Sequence, residues 1–394
     1  MTGPAPAGAA FPLGAAVTLE QLERDPHPVL ARLREREPVS WLPVLGGWLV
    51  TRHDLAVGVM RDASTFTVDD PRFSTRKVVG PSMLSLDGKA HARHRTPFAA
   101  PFRPRAVRER FAQAAATEAD RLIDGFVARG SAELRRSFAG PLAASIMARA
   151  LGLERAEVGA MLGWYDGIVA AVTAITAGVD PPVAGSEAFA ALRERLAAAV
   201  AADPDASLLA AAAARGDLDT EQVVSNAAVL LFGGIETTEG MIANAVLHLL
   251  ERPDTLAEVR RDAGRLDAAI EESLRLEPAA AVVDRYATAE ATLEGARITR
   301  GDLVRVSITA ANRDPAVFSD PDRLDLDRSG PRGHLAFAHG PHVCVGVHLA
   351  RLEARTALGI LLRRLPSLRL DSSRPSRIEG LVFRKPPTLW AIWP

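Results

Sequence analysis

Apolar positions recur at intervals of three and four through most of the chain and at intervals of two only in short patches. That pattern predicts many amphipathic helices beside a little sheet. Residues 1–18 carry neither rhythm and, rich in Ala, Gly and Pro, read as a flexible lead-in. His27 to Arg36 reads as a short helix ended before Pro38, and Val39 to Thr51 as a hairpin turning at Gly46-Gly47. Asp54 to Met60 suits one or two helical turns. Phe66 to Gly80 has no period and is punctuated by Pro and Gly, which predicts an irregular wall or lid. Helical spacing resumes over Pro104–Arg129, Pro141–Leu151, Arg155–Thr173 and Ser186–Ala202, with a Gly/Pro break between Ile175 and Gly185. Thr220–Leu250 is the longest helical run, about 46 Å at 1.5 Å per residue. Leu266–Leu276 and Val347–Arg364 are helical too, and between them Leu293 to Ser307 alternates like paired strands around Gly295 and Gly301. The expected fold is mostly α with a minor β region (α+β). Residues 19–394 are expected to form a single domain, a helix-rich lobe with a small β-rich one.

Composition narrows the function classes. At 394 residues, 48% hydrophobic and 24% charged, the chain can bury a large core and is not of disordered composition. A formal net charge of −1 gives no global attraction to nucleic acid or to an anionic membrane. The single cysteine excludes an internal disulfide, and no Cys/His cluster has zinc spacing. The lead-in lacks the Lys or Arg of a signal peptide, and no uncharged apolar run is long enough for a bilayer. A cytoplasmic, monomeric protein with neither membrane nor nucleic-acid partner is expected.

That cysteine, Cys344, stands in Phe337-Ala338-His339-Gly340-Pro341-His342-Val343-Cys344-Val345-Gly346, directly ahead of a helical pattern. A sulfur at a helix N-terminus meets unpaired N–H groups and the positive end of the dipole, which favours a thiolate. Ionising a thiol of pKa roughly 8.5 at neutral pH costs about 2 kcal/mol, which a helix terminus and a bound metal ion can jointly supply. From composition alone, a small buried hydrophobe is the other reading. The long helix carries Phe232-Gly233-Gly234-Ile235-Glu236-Thr237-Thr238, and each glycine costs about 1 kcal/mol relative to Ala. Either a neighbouring helix packs close there, or the backbone approaches a flat ligand and the helix opens locally around Glu236-Thr237. His91 and Arg95, four apart, share one helix face, as do Glu272 and Arg275, three apart. In isolation each is an ordinary solvated pattern.

In residue type and spacing, Phe337, Gly340, His342, Cys344 and Gly346 resemble the ligand loop of the cytochrome P-450 family. Ala338 departs from it, since the family usually has Gly there; a φ > 0 would cost Ala on the order of 1 kcal/mol. The resemblance implies that Cys344 ligates the iron of haem b, with Phe337, Gly340, His342 and Gly346 shaping the loop. It implies that His91, Arg95 and Arg285 reach the haem propionates as charge-assisted donors. Gly233 and Gly234 then belong to an oxygen-binding groove whose acid–alcohol pair is Glu236 and Thr237: the hydroxyl passes protons and the carboxylate recharges it through water. Glu272 and Arg275 become a buried brace behind the ligand loop, with Arg323 as third member or His334 in its place. Ala280, Val282 and Val283, with Leu381 and Val382 of a terminal hairpin, graze the substrate pocket. These motifs keep the family's order across nearly the whole chain.

The function so implied is a haem-thiolate monooxygenase that places one oxygen atom of O2 in a C–H or C=C bond of a lipophilic small molecule in secondary metabolism. No reductase domain fits the length, so electrons are expected from a separate ferredoxin or flavodoxin with its reductase. Arg103, Arg105, Arg351 and Arg355 are candidates for the docking face. A peroxygenase, an oxidative coupling or rearrangement enzyme, and a non-catalytic haem-binding protein are the alternatives, separated by oxidant preference, labelled O2 and O2 consumption.

Overall fold

The computed structural model describes residues 11–153, 158–201, 207–330 and 333–394. Residues 1–10 of the lead-in, the expected helix start at Arg155 and the expected helix end at Ala202 lie outside the described residues. The chain divides into two compact units. The first comprises Met1–Phe73, Glu271–Cys344 and Ile378–Arg384; the second comprises Ser74–Ile270, Val345–Arg377 and Lys385–Pro394.

The first unit is built on a five-stranded sheet in the order Val39–Leu42, Gly47–Val50, Leu303–Ser307, Val282–Ala287, Phe66–Thr67. The expected hairpin is its edge: Val39 pairs with Val50 and Leu42 with Gly47, and the turn closes through Gly46 at φ 57, where glycine is unstrained. Gly47–Val50 is buried along its length because both faces are covered. Trp48 and Val50 join Val59, Met60, Val304 and Ile308 on one side. Leu49 joins Leu42, Leu30 and Leu33 on the other. Its second neighbour, Leu303–Ser307, runs parallel with Trp48 opposite Val304.

The described part of the lead-in is not as expected. From Phe11 onward it is ordered: Pro12–Ala15 is helical and the Phe11 ring stands edge-on to Trp48 at 5.1 Å. The N–H groups of Leu13 and Gly14 both donate to the Glu37 carboxylate at 2.9 Å, and Val17 is buried. Apolar side chains and a distant acid outweigh the local Gly/Pro signal. The stretch expected to be irregular likewise contains a helix, Ser74–Val79.

The second unit is mainly helical. Thr220–Leu250 starts with a capping box between Asp219 and Gln222. It is apolar on nearly every side because Gly140–Leu151, Val183–Val200 and Val347–Arg364 pack around it. The helix runs unbroken through Gly233-Gly234, so the expected local opening is not present. Val158–Thr176 and Val183–Val200 approach closely, since a Cβ on Gly185 would stand 2.5 Å from that of Ala171. Among the described residues Val158–Thr176 is the one helix long and apolar enough to cross a membrane. It nonetheless buries Tyr165 and carries Asp166, whose carboxylate pairs with Arg136 at 2.8 Å. Ser131–Glu133, Trp390–Ile392 and Arg369–Leu370 form a small antiparallel sheet.

Candidate functional site

The loop before Cys344 is closed by its own backbone. The Cys344 N–H donates to the Phe337 carbonyl at 2.9 Å, Ala338 N–H to Leu335 at 2.8 Å and Val343 N–H to Gly340 at 3.1 Å. Asn312 anchors the entry, its Oδ1 accepting from Leu335 N–H at 2.6 Å. Ala338 adopts φ 59, so the residue that departs from the family pattern does sit in the left-handed region, at a cost of about 1 kcal/mol. Gly340 has φ 73, and a Cβ there would meet the Met60 carbonyl oxygen at 2.6 Å, so only glycine fits. Gly346 is the N-cap of Val347–Arg364 with an ordinary φ of −87, and His342 ends the short 3₁₀ turn Gly340–His342. Phe337 and Cys344 are half-buried. His339 accepts from Arg61 Nε at 2.8 Å; burial first, then the charge of Arg61 and His53, pushes its pKa down.

Glu272 and Arg275 lie fully buried in the same unit. Arg275 donates through Nε (2.8 Å) and Nη2 (3.0 Å) to the two carboxylate oxygens. The third member is Arg328, whose Nε donates to Glu272 at 3.0 Å. Arg323, expected in that place, has an exposed side chain and contributes only its carbonyl, which accepts from Arg275 (2.8 Å) and Arg328 (3.1 Å). His334, the other choice, stands 3.2 Å from Glu271 instead. Burial pushes the Glu272 carboxyl up, but Arg275, the Asp325 N–H and Arg328 outweigh it and hold its pKa below the usual carboxylate range.

Arg285 is buried on its strand, Nη1 donating to the Asp284 carbonyl at 2.8 Å, while Arg305 clamps the Asp284 carboxylate at 2.6 and 3.0 Å. Ala280 bridges to Phe383, and Ala281 N–H donates to the Val382 carbonyl at 2.9 Å. Val282 and Val283 are half-buried. Leu381 lies in the apolar cluster of Leu30, Leu42 and Leu49, and it lines a small pocket there together with Val282.

In the second unit His91 is buried on Gly88–Ala99 and Arg95 follows one turn later, half-buried. On the long helix a Cβ at Gly234 would stand 2.5 Å from Met147 Sδ, so close packing accounts for that glycine; at Gly233 a Cβ would meet nothing within 4 Å. Thr237 Oγ1 donates to the Gly233 carbonyl at 2.6 Å. Glu236 accepts from the Tyr165 hydroxyl and lies 2.8 Å from Lys385 Nζ. Lys385 also donates to Tyr165 (2.8 Å) and to Glu239. The Tyr165 phenol is pushed far up, by burial first and then by Glu236 and Glu239, and stays a donor. Burial likewise pushes the Glu239 carboxyl up, but Lys385, Arg135 and Arg136 outweigh it and lower its pKa.

Tyr165, Glu239 and Lys385 escaped the sequence reading, as did Arg328. One signal was present for Lys385: only three of the 47 basic residues are lysines. Nothing in the local pattern singles out Arg328 among so many arginines.

The residues fit an iron porphyrin on two observations. One sulfur donor is held in a loop whose conformation demands glycine at Gly340, and the long helix offers open space at Gly233 beside an acid and an alcohol. A lone cysteine in a tightly closed loop and a long helix of this kind are parts that a haem-thiolate protein requires. Comparison with known proteins agrees. The sequence pattern of the family described as cytochrome P450 matches residues 202–391. The chain is 35% identical over 368 residues to the cytochrome P450 monooxygenase PikC of Streptomyces venezuelae, covering 89% of this chain and 86% of that one. It is 33% identical over 377 residues to the mycinamicin IV hydroxylase/epoxidase of Micromonospora griseorubida, covering 92% and 94%. Its fold matches the crystal structure of CalO2 with a TM-score of 0.86 at 30% identity, over 96% of this chain and 98% of that one. The chain belongs to the cytochrome P450 family. It is a monooxygenase with haem b as cofactor, of the kind bacteria use on small molecules in secondary metabolism.

Proposed function

We propose that this monooxygenase inserts one oxygen atom of O2 into a C–H or C=C bond of a lipophilic small molecule, with electrons from a separate ferredoxin or flavodoxin and its reductase. The observation that carries the reading is the Cys344 loop: one half-buried thiol in a turn tightly specified by Gly340 and by backbone hydrogen bonds. Haem b, when bound, supplies the oxygen-activating redox chemistry. Cys344 binds its iron as a thiolate. His91, Arg95 and Arg285 hold its carboxylates with charge-assisted donors. Gly233 leaves space along the helix for the flat ring or for O2 beside it. Thr237 holds a proton at Oγ1, and Glu236 replaces it. The name of one relative, mycinamicin IV hydroxylase/epoxidase, supports hydroxylation or epoxidation as the outcome.

Arg103, Arg105, Arg351 and Arg355 are the proposed docking face for an acidic redox protein, although Arg105 and Arg355 already pair with Glu109 and Asp267, each at 2.6 Å. The reduced protein under carbon monoxide is expected to show the strongly red-shifted band of a thiolate-bound haem. With ¹⁸O2 and a lipophilic panel, mass spectrometry is expected to find one labelled atom per product. Absence of the band after haem is added, or product without label, overturns the proposal.

A further inference from the structure

We propose that Lys385 and Tyr165 are positioning residues for Glu236, forming a proton-feeding chain that recharges it from solvent. The inference rests on the reading that Glu236 supplies protons to Thr237.

Glu236 is 1% exposed. Both its oxygens are engaged by the same pair of donors: Oε2 accepts from the Tyr165 hydroxyl, and Oε1 lies 2.8 Å from Lys385 Nζ. Lys385 in turn donates to Tyr165 at 2.8 Å, so ammonium, phenol and carboxylate form a continuous hydrogen-bonded chain ending on the Glu236 acceptor, with Glu239 Oε2 a second acceptor 3.2 Å from the phenol. The Lys385 side chain is 11% exposed and is the member of this chain that reaches water. Glu239, one helical turn from Glu236, accepts from Lys385 and sits 3.3 Å from Arg135 Nε and 3.8 Å from Arg136 Nη1. Arg136 continues outward to Asp166 at 2.8 Å. Glu239 therefore anchors the ammonium while Arg135, Arg136 and Asp166 complete the charges facing the cluster. Room for that anchor comes from Gly140, where a Cβ would stand 2.7 Å from Glu239 Oε1.

The choice of lysine matters. A guanidinium holds charge as well as an ammonium, and this chain uses arginine for nearly every other cation, but an arginine does not give up its proton in a protein. In the proposed step the Lys385 ammonium passes a proton to the Tyr165 oxygen as the phenol proton passes to Glu236. The neutral amine then takes a proton from water, so one proton moves from solvent to Glu236 with no redox change. Lys385 also meets Glu236 directly, so losing Tyr165 is expected to matter less than losing Lys385.

The test uses the haem-loaded protein with Lys385→Arg, Lys385→Met, Tyr165→Phe and Glu236→Gln. Lys385→Arg keeps the charge and is expected to lower product formed per electron roughly tenfold in O2-driven turnover, within the range of positioned acid–base groups. The solvent deuterium isotope effect is expected to rise, and the ratio of O2-driven to peroxide-driven rate to fall. An independent readout uses ¹³Cζ-tyrosine NMR, feasible because the chain has two tyrosines. The Tyr165 resonance, assigned with Tyr286→Phe, is expected to shift in Glu236→Gln and Lys385→Met while that of Tyr286 stays. If Lys385→Arg matches the parent in coupling and isotope effect while Glu236→Gln is impaired, the feeding chain is wrong and the acid assignment stands. If neither variant is impaired, both fall. An unmoved Tyr165 resonance in both Glu236→Gln and Lys385→Met removes the contact itself.

Discussion

Replacing Glu272 by Gln removes one negative charge from between two buried guanidinium groups. In the parent protein its carboxylate accepts from Arg275 twice, from Arg328 and from the Asp325 N–H at 2.9 Å. Arg275 is fully buried and Arg328 nearly so, and their remaining donors point at the carbonyls of Asn312, Pro321, Ser319 and Arg323. None of those carbonyls carries compensating charge, so the variant leaves two cations sharing neutral acceptors. Breaking a buried pair of this kind costs about 3–5 kcal/mol. Arg323→Ala trims an exposed side chain, leaves the backbone acceptor in place and is expected to stay within about 0.5 kcal/mol. Urea unfolding followed by circular dichroism measures both. The pH dependence follows from the lowered pKa of Glu272: its contribution is fully present above the ordinary carboxylate pKa of about 4.3 and is lost as pH falls toward the folded value. The gap between parent and Glu272→Gln is therefore expected to narrow in acid. A cost below about 1 kcal/mol for Glu272→Gln, or an equal cost for Arg323→Ala, would refute Arg328 as the third member of the brace.

Two further outcomes are expected. Gly233→Ala adds a methyl group that meets nothing within 4 Å, so the haem-free protein gains about 1 kcal/mol of helix stability while the holoprotein releases haem faster; an unchanged haem dissociation rate would show that Gly233 does not face the cofactor. Glu353 is buried, its Oε2 has no hydrogen-bond partner among the described residues, and burial raises its pKa well above the usual range. The folded state thus retains its proton where the unfolded state has lost it, and stability falls as pH rises from the unfolded pKa toward the folded one. Glu353→Gln is expected to flatten that slope, read as melting temperature against pH; an unaltered slope would mean the carboxylate is paired.

Much of the candidate site was legible because the chemistry proposed for it needs residues at fixed short spacings. The Cys344 loop, Gly233 to Thr237, His91 with Arg95 and Glu272 with Arg275 each lie within one turn or one helix face, where separation along the chain determines separation in space. The long helix declared itself as the longest run of three-and-four apolar spacing, and the hairpin by Gly46-Gly47. The left-handed φ of Ala338 followed from a loop that closes on Phe337 whatever residue stands there.

Only the tertiary structure decided the partners that meet across long intervals. Arg328 and Arg323 are both downstream arginines, and which guanidinium turns inward depends on how the chain from Asp320 to Arg328 wraps around Arg275. Lys385 meets Glu239 across 146 positions and Tyr165 across 220. The order of Phe11 to Val17 likewise depends on Glu37 and Trp48, which its own composition does not announce. Local pattern reports torsional preference and one-turn neighbours; which buried charges share a dry space is set by packing, because an ion pair forms wherever the folded backbone leaves two opposite charges no water to turn to.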